Sequence, residues 1–139
     1  MRRLALDIGS KRIGIAVSDL TGLYAFPLTT ILRKNISDDI DKIYKLLIEK
    51  EAKELIIGLP ISLSGNEGIQ AEIVRSFGKL LDDNIDIPIF YVDERYSSVQ
   101  AEDRLINAGV SPSRDRKRID AAAAAIILQS YLDNSSTNN

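Results

Sequence analysis

The sequence predicts an α/β fold: a mixed five-stranded sheet, its first three strands antiparallel, with helices on both faces. Three observations predict it. The N-terminal third holds three mostly apolar strand patterns, joined by turns too short for a crossover helix. From Ile36 the apolar spacing changes to three and four residues, the period of an amphipathic helix. Strand and helix patterns then alternate, giving the order βββαβαβαα.

The first strand reads Leu4-Ala5-Leu6-Asp7-Ile8-Gly9, nearly all apolar, as in a central strand covered on both faces. Gly9-Ser10-Lys11-Arg12 is a turn, and Ile13 to Ser18 returns as the second strand with small residues interleaved. Asp19 to Tyr24 is a second turn. Ala25 to Leu32 is the third strand, and Pro27 near its start fits an edge, where a missing N–H costs little. A helix follows, with Ile36, Ile40, Ile43, Leu46 and Leu47 on one face. Ser37 is its predicted N-cap, with Asp38, Asp39 and Asp41 near the positive end of the helix dipole.

Glu54 to Gly58 is a short buried strand, and the loop after it holds Pro60, Gly65 and Gly68. Ile69 to Leu81 is a second helix, with Ile69, Ile73, Val74, Phe77, Leu80 and Leu81 as its apolar positions. Ile87 to Val92 is the fifth strand. Ser97 or Ser98 caps a third helix that ends near Ala108 before Gly109. Ser111 to Arg118 reads as an exposed, mobile loop, and the last helix runs from Ile119 through a run of alanines to Leu132. No repeat or linker divides the chain, so residues 1–132 form one domain and residues 133–139 a flexible tail.

The missing residue types narrow the chemistry. With no Cys and no His, thiol nucleophiles, zinc–thiolate sites, imidazole ligands and Ser-His-Asp chemistry are all excluded. Acid–base or metal chemistry must rest on Asp, Glu, Lys, Tyr or backbone, and oxygen-only ligation suits Mg²⁺ or Mn²⁺. No apolar run is long enough to span a membrane and the N-terminus lacks a signal-peptide pattern, so a cytoplasmic location is expected. Lys plus Arg number 18 against 20 Asp plus Glu, a net charge of −2, so bulk charge does not announce nucleic-acid binding.

Some carboxylates sit where structure alone does not want them. Asp7 lies inside an apolar strand, where an unpaired charge is costly. Asp93 and Glu94 follow a strand at its carboxyl end, where α/β proteins place their sites. Neighbours on an extended chain point to opposite sides, so one of the two faces the site. Asp120 opens the alanine-rich helix, and small alanines let that helix pack close to the sheet. Converging on one cleft, these groups would hold one or two Mg²⁺ or Mn²⁺ ions for phosphodiester cleavage.

The sequence resembles the YqgF (RuvX) family. The resemblance is carried by Leu6-Asp7-Ile8-Gly9 with Arg12 to Asp19, Gly58-Leu59-Pro60, Gly65 to Gly68 with Gln70-Ala71, Val92 to Ser98, and Lys117 with Asp120 to Ala124 and Ile127-Leu128. It covers residues 4 to 132 in the family's order. It implies an RNase H-like fold related to the junction resolvase RuvC and a metal-dependent nuclease, a hydrolase. The favoured substrate is the 5′ end of pre-16S ribosomal RNA, in ribosome biogenesis. The alternatives are a Holliday-junction resolvase acting on branched DNA and a non-catalytic RNA- or ribosome-binding module.

By motif match, Asp7, Glu94 and Asp120 would be the catalytic and metal-binding carboxylates, with Asp93 as a further neighbour. Gly9, Ser10, Lys11, Arg12, Arg95, Arg114, Arg116, Lys117 and Arg118 would contact nucleic acid. Arg2 and Arg3 with Lys11 and Arg12, and the run before Asp120, would flank the site with positive charge despite the overall −2.

An actin-like ATPase shares the Asp-x-Gly hairpin, but clamps its nucleotide between two such domains, and this sequence holds one. The expected partners are pre-rRNA or branched DNA and ribosomal precursor particles, with no membrane. The apolar faces look fully used by the core, so a monomer or weak homodimer is expected.

Overall fold

The computed structural model describes residues 1–62, 64–94 and 116–137. The strands are β1 (Arg2–Ile8), β2 (Arg12–Ser18), β3 (Ala25–Leu32), β4 (Ala52–Leu59) and β5 (Ile89–Asp93). The helices are α1 (Ile36–Glu49), α2 (Ile69–Asp82) and α3 (Arg116–Thr137). The sheet order is β3-β2-β1-β4-β5. β1 pairs antiparallel with β2, and β2 with β3. β1 pairs parallel with β4, and β4 with β5. The mixed sheet and the antiparallel start therefore match the expectation, and Pro27 does lie on an edge strand, next to a register shift opposite Ile15 and Ala16.

Alternation along the central strand divides its side chains between two layers. Leu4 and Leu6 enter a cluster with Ile13, Ile15, Ile43, Leu55, Ile57, Val74 and Phe77, under α1 and α2. Ala5 enters the opposite cluster with Ala16, Ala25, Ile56, Ala124, Ala125, Ile127 and Leu128, under α3. That second layer is built largely from alanines on both sides, so α3 lies close to the sheet. The buried amide of Gln129 fixes it further, accepting from the Ala25 N–H and donating to the Leu23 carbonyl, both at 2.9 Å.

Several local expectations change. The cap of α1 is Asn35, whose side chain accepts from the Asp38 N–H at 2.9 Å; Ser37 is already inside the helix. An Asn one residue before the first helical turn serves the same orphan N–H groups as a Ser would, so composition alone does not choose between them. On α2 the buried positions are Ala71, Val74, Phe77, Gly78 and Leu81, while Ile69, Ile73 and Leu80 are exposed, so this face is not all used by the core. α3 begins at Arg116, which places Arg116, Lys117 and Arg118 in a helix and not in a loop. It runs to Thr137, so residues 133–137 are helical, with Asp133 accepting from Gln129. The expected helix between residues 97 and 108, and the loop from 111 to 115, lie outside the described residues.

Candidate active site at the carboxyl ends of the parallel strands

The three parallel strands β1, β4 and β5 finish together, and the α3 side of the sheet carries the acidic groups at that end. Asp7 follows Ala5 by two residues and shares its face. Glu94, directly after β5, follows Val92, which packs in the α3 layer. Sheet parity thus separates the two neighbouring acids: Glu94 falls on the α3 side and Asp93 on the other.

Two glycines make the convergence possible. Gly14 pairs with Asp7 across the ladder. A Cβ on it would stand 1.9 Å from the Asp120 carbonyl oxygen and 3.0 Å from the Ala121 nitrogen. The first turns of α3 therefore lie directly on β2, which brings Asp120 beside Asp7. Gly58 on β4 does the same for β5. A Cβ there would meet the Ile127 Cδ1 at 2.5 Å and the Glu94 Oε1 at 2.9 Å. Neither glycine needs an unusual backbone; both are positions of close approach. In sequence Gly14 is one of several small residues in a strand and Gly58 ends another, and neither carries a signal that marks it as part of the site.

The half-buried carboxyls of Asp7 and Glu94 share a hydrogen bond. Burial raises the Asp7 carboxyl above its ordinary value; the hydrogen bond with Glu94 opposes the rise and the charge of Asp120 adds to it. Glu94 is pushed up to about 7, first by burial, then by the charge of Asp7, by their hydrogen bond and by the charge of Asp93. Both shifts favour uptake of a proton by the pair, and the hydrogen bond favours that proton on Glu94, donated to Asp7.

Asp120 is within electrostatic range of Asp7, but its Oδ2 accepts from the Arg12 Nε at 2.7 Å. Among the described residues, no three acidic groups already stand together as a ligand set. Asp7 and Glu94 are the pair that meets, and Asp120 is the third acid, held back by a cation. All donors are carboxylate oxygens, and the proton between Asp7 and Glu94 balances the charge that a hard divalent cation would balance in its place. The donor set fits such an ion.

The basic residues divide. Gly9, Ser10 and Lys11 are exposed in the turn after β1, beside Asp7. Gly9 is required there, since its N–H donates to the Arg12 carbonyl at 2.8 Å and a Cβ would stand 2.8 Å from that oxygen. Arg12 is at the site but engaged with Asp120. Arg118 is exposed on the first turn of α3. Arg2 and Arg3 do not flank the site: they start β1 at the opposite end of the sheet, and Arg3 is paired with Glu54 and lies over the Tyr131 ring. Arg95 and Arg114 lie outside the described residues, and Arg116 and Lys117 are placed only as backbone of α3.

This arrangement can be set against known proteins. Curated relatives carry the name "Putative pre-16S rRNA nuclease". One from Trichormus variabilis is 44% identical over 135 residues, covering 97% of this chain and 89% of the relative. One from Roseiflexus is 45% identical over 132 residues, covering 95% and 94%. One from Clostridium beijerinckii is 41% identical over 133 residues, covering 96% of each. Among solved structures, Thermus thermophilus RuvC in complex with a Holliday junction substrate superposes with a TM-score of 0.67 at 14% identity, over 98% of this chain and 97% of that one. The Fowlpox virus resolvase, also bound to junction DNA, gives 0.60 at 14% identity, over 97% and 99%. These two likenesses show the fold, the RNase H-like arrangement of RuvC. A family model described as "RuvX: Holliday junction resolvase" matches residues 1–134. The chain belongs to the RuvX (YqgF) family.

Proposed function

We propose that this chain is a divalent-metal-dependent nuclease that hydrolyses phosphodiester bonds and trims the 5′ end of the 16S ribosomal RNA precursor. The observation that carries the reading is the hydrogen-bonded Asp7–Glu94 carboxyl pair, close to Asp120 at the carboxyl ends of the parallel strands. The names of the curated relatives supply the substrate. The chain acts as one cytoplasmic domain that includes the last helix to Thr137, as a monomer or weak homodimer; among the described residues no helix is long and apolar enough to cross a membrane.

Asp7 and Glu94 would hold the Mg²⁺ or Mn²⁺, with Asp120 joining them and Asp93 behind Glu94. When bound, the ion supplies a hydroxide near neutral pH and stabilises the leaving oxygen. The chain's own residues do the rest. Glu94 would lose the proton it donates to Asp7 to solvent as the ion took that proton's place between the two carboxylates. The exposed Gly9-Ser10-Lys11 turn receives a phosphate next to the reacting bond. Arg12 neutralises Asp120, which otherwise repels the incoming backbone. Arg95, Arg114, Arg116, Lys117 and Arg118 extend the contact along the strand of nucleic acid and set its salt dependence. The net charge of −2 is no obstacle, because part of the acidic excess is the ligand set itself.

A second reading, cleavage of four-way DNA junctions, is favoured by one observation. Two symmetric cuts need a two-fold dimer, and Ile69, Ile73 and Leu80 leave one apolar face of α2 open. Depletion in cells separates the two. The rRNA reading expects 5′-extended small-subunit precursor to accumulate. Normal rRNA ends with persistent recombination intermediates would overturn it in favour of the resolvase.

A further inference from the structure

The turn after β1 is held in place by one residue that the site motifs do not include. Arg33 directly follows β3. Its backbone N–H donates to the Lys11 carbonyl at 2.9 Å, and its Nη1 donates to the Gly9 carbonyl at 2.9 Å. One residue thus takes carbonyls on both sides of Ser10. Its Nε donates to the Asp39 Oδ2 at 2.9 Å, and the guanidinium lies over the Phe77 ring, 5.1 Å from its centre. Asp39 is 1% exposed and also receives the Lys34 N–H.

A carboxylate this deeply buried needs a cation, so Asp39 fixes Arg33, and Arg33 in turn fixes the turn. The pairing asks for Arg in particular. An ammonium would meet the charge of Asp39, but only a guanidinium fork reaches Asp39 and the Gly9 carbonyl together. The contact also matters electrostatically. Peptide carbonyls repel a phosphate, and here both are capped by donors, while Ser10 and Lys11 stay exposed.

We propose that Arg33, anchored by Asp39, is a positioning residue that holds the Gly9–Lys11 turn in the shape that receives a substrate phosphate. The proposal rests on the nuclease reading and adds to it a residue far from the carboxylates in sequence. Arg33 touches no reacting atom in this scheme; it acts through the turn.

The test uses the full chain and a fluorescent single-stranded RNA carrying the 5′ flank of the small-subunit precursor. Arg33→Lys keeps the charge and loses the fork. It should raise KM for cleavage about three- to tenfold, the effect of one lost positioning hydrogen bond, and leave kcat within about twofold. A double variant, Arg33→Met with Asp39→Leu, replaces the buried pair by apolar groups and should fold with a melting temperature near that of the parent. It should show the same rise in KM. Amide exchange at Gly9, whose N–H closes the turn, should quicken in both variants. If KM is unchanged in both, or if Gly9 exchange is unchanged, the clamp is only a fold contact and the proposal fails. A parent protein that neither cleaves nor binds the RNA defeats the nuclease reading instead, and Gly9 exchange then still decides whether the clamp holds the turn.

Discussion

Replacing Glu94 with Gln removes the one proton that the Asp7–Glu94 pair takes up on folding. In the folded chain Glu94 titrates at about 7, against an ordinary value of 4.5. Between those values the folded state holds more protons than the unfolded state, so stability falls as pH rises from about 4.5 to about 7 and is level above. The full difference corresponds to about 3 kcal/mol, at about 1.4 kcal/mol per tenfold. The pair is only half-buried, and screening by solvent reduces this to about 1–2 kcal/mol. Gln keeps an N–H to donate to Asp7 and carries no charge. In chelator at about pH 8, Glu94→Gln should therefore melt about 3–8 °C above the parent. Near pH 4.5, where Glu94 is already protonated, the gap should close. Differential scanning calorimetry across pH measures both. A variant that melts below the parent at about pH 8, or a gap that does not change with pH, would refute the shared-proton account.

Other expectations follow from the same geometry. Saturating Mn²⁺ should raise the melting temperature of the parent more at about pH 8 than at about pH 5, because protons compete for the ligands, and Asp7→Asn should abolish the rise. Gly14→Ala forces a methyl onto the Asp120 carbonyl and should cost about 3 kcal/mol in urea denaturation; an unchanged midpoint would mean that α3 does not rest on β2. Replacing Arg114, Arg116 and Arg118 with Ala should weaken nucleic-acid binding and lower the slope of log affinity against log salt by about 2 to 3, read by fluorescence anisotropy.

The frame of this fold is legible because it is written in local signals. The short turns before and after Ile13–Ser18 forced antiparallel pairing, and the spacing from Ile36 forced a helix. Asp7 and Glu94 were legible for a different reason: an acid in an apolar strand and an acid at a strand's carboxyl end both violate the local pattern. What sequence order could not show is who meets whom. Arg12 is close to Asp7 in sequence, yet the packing of α3 on Gly14 gives it Asp120. Asp38 and Asp39 look alike beside a helix dipole, but only Asp39 turns inward to Arg33. Ile69, Ile73 and Leu80 fit a helical stripe as well as Val74 and Phe77 do, and only the sheet decides which stripe is covered.

The central claim is that carboxylates and a divalent cation cut a ribosomal RNA precursor at this site. The most direct measurement incubates the purified chain with a pre-16S 5′ substrate and, separately, a four-way DNA junction, each with Mg²⁺ or Mn²⁺ or with chelator, and with Asp7→Asn alongside. The account predicts metal-dependent cutting of the RNA, no cutting in chelator, and none by Asp7→Asn. Cleavage of the RNA that persists in Asp7→Asn, or symmetric cutting of the junction with the RNA left intact, would contradict it.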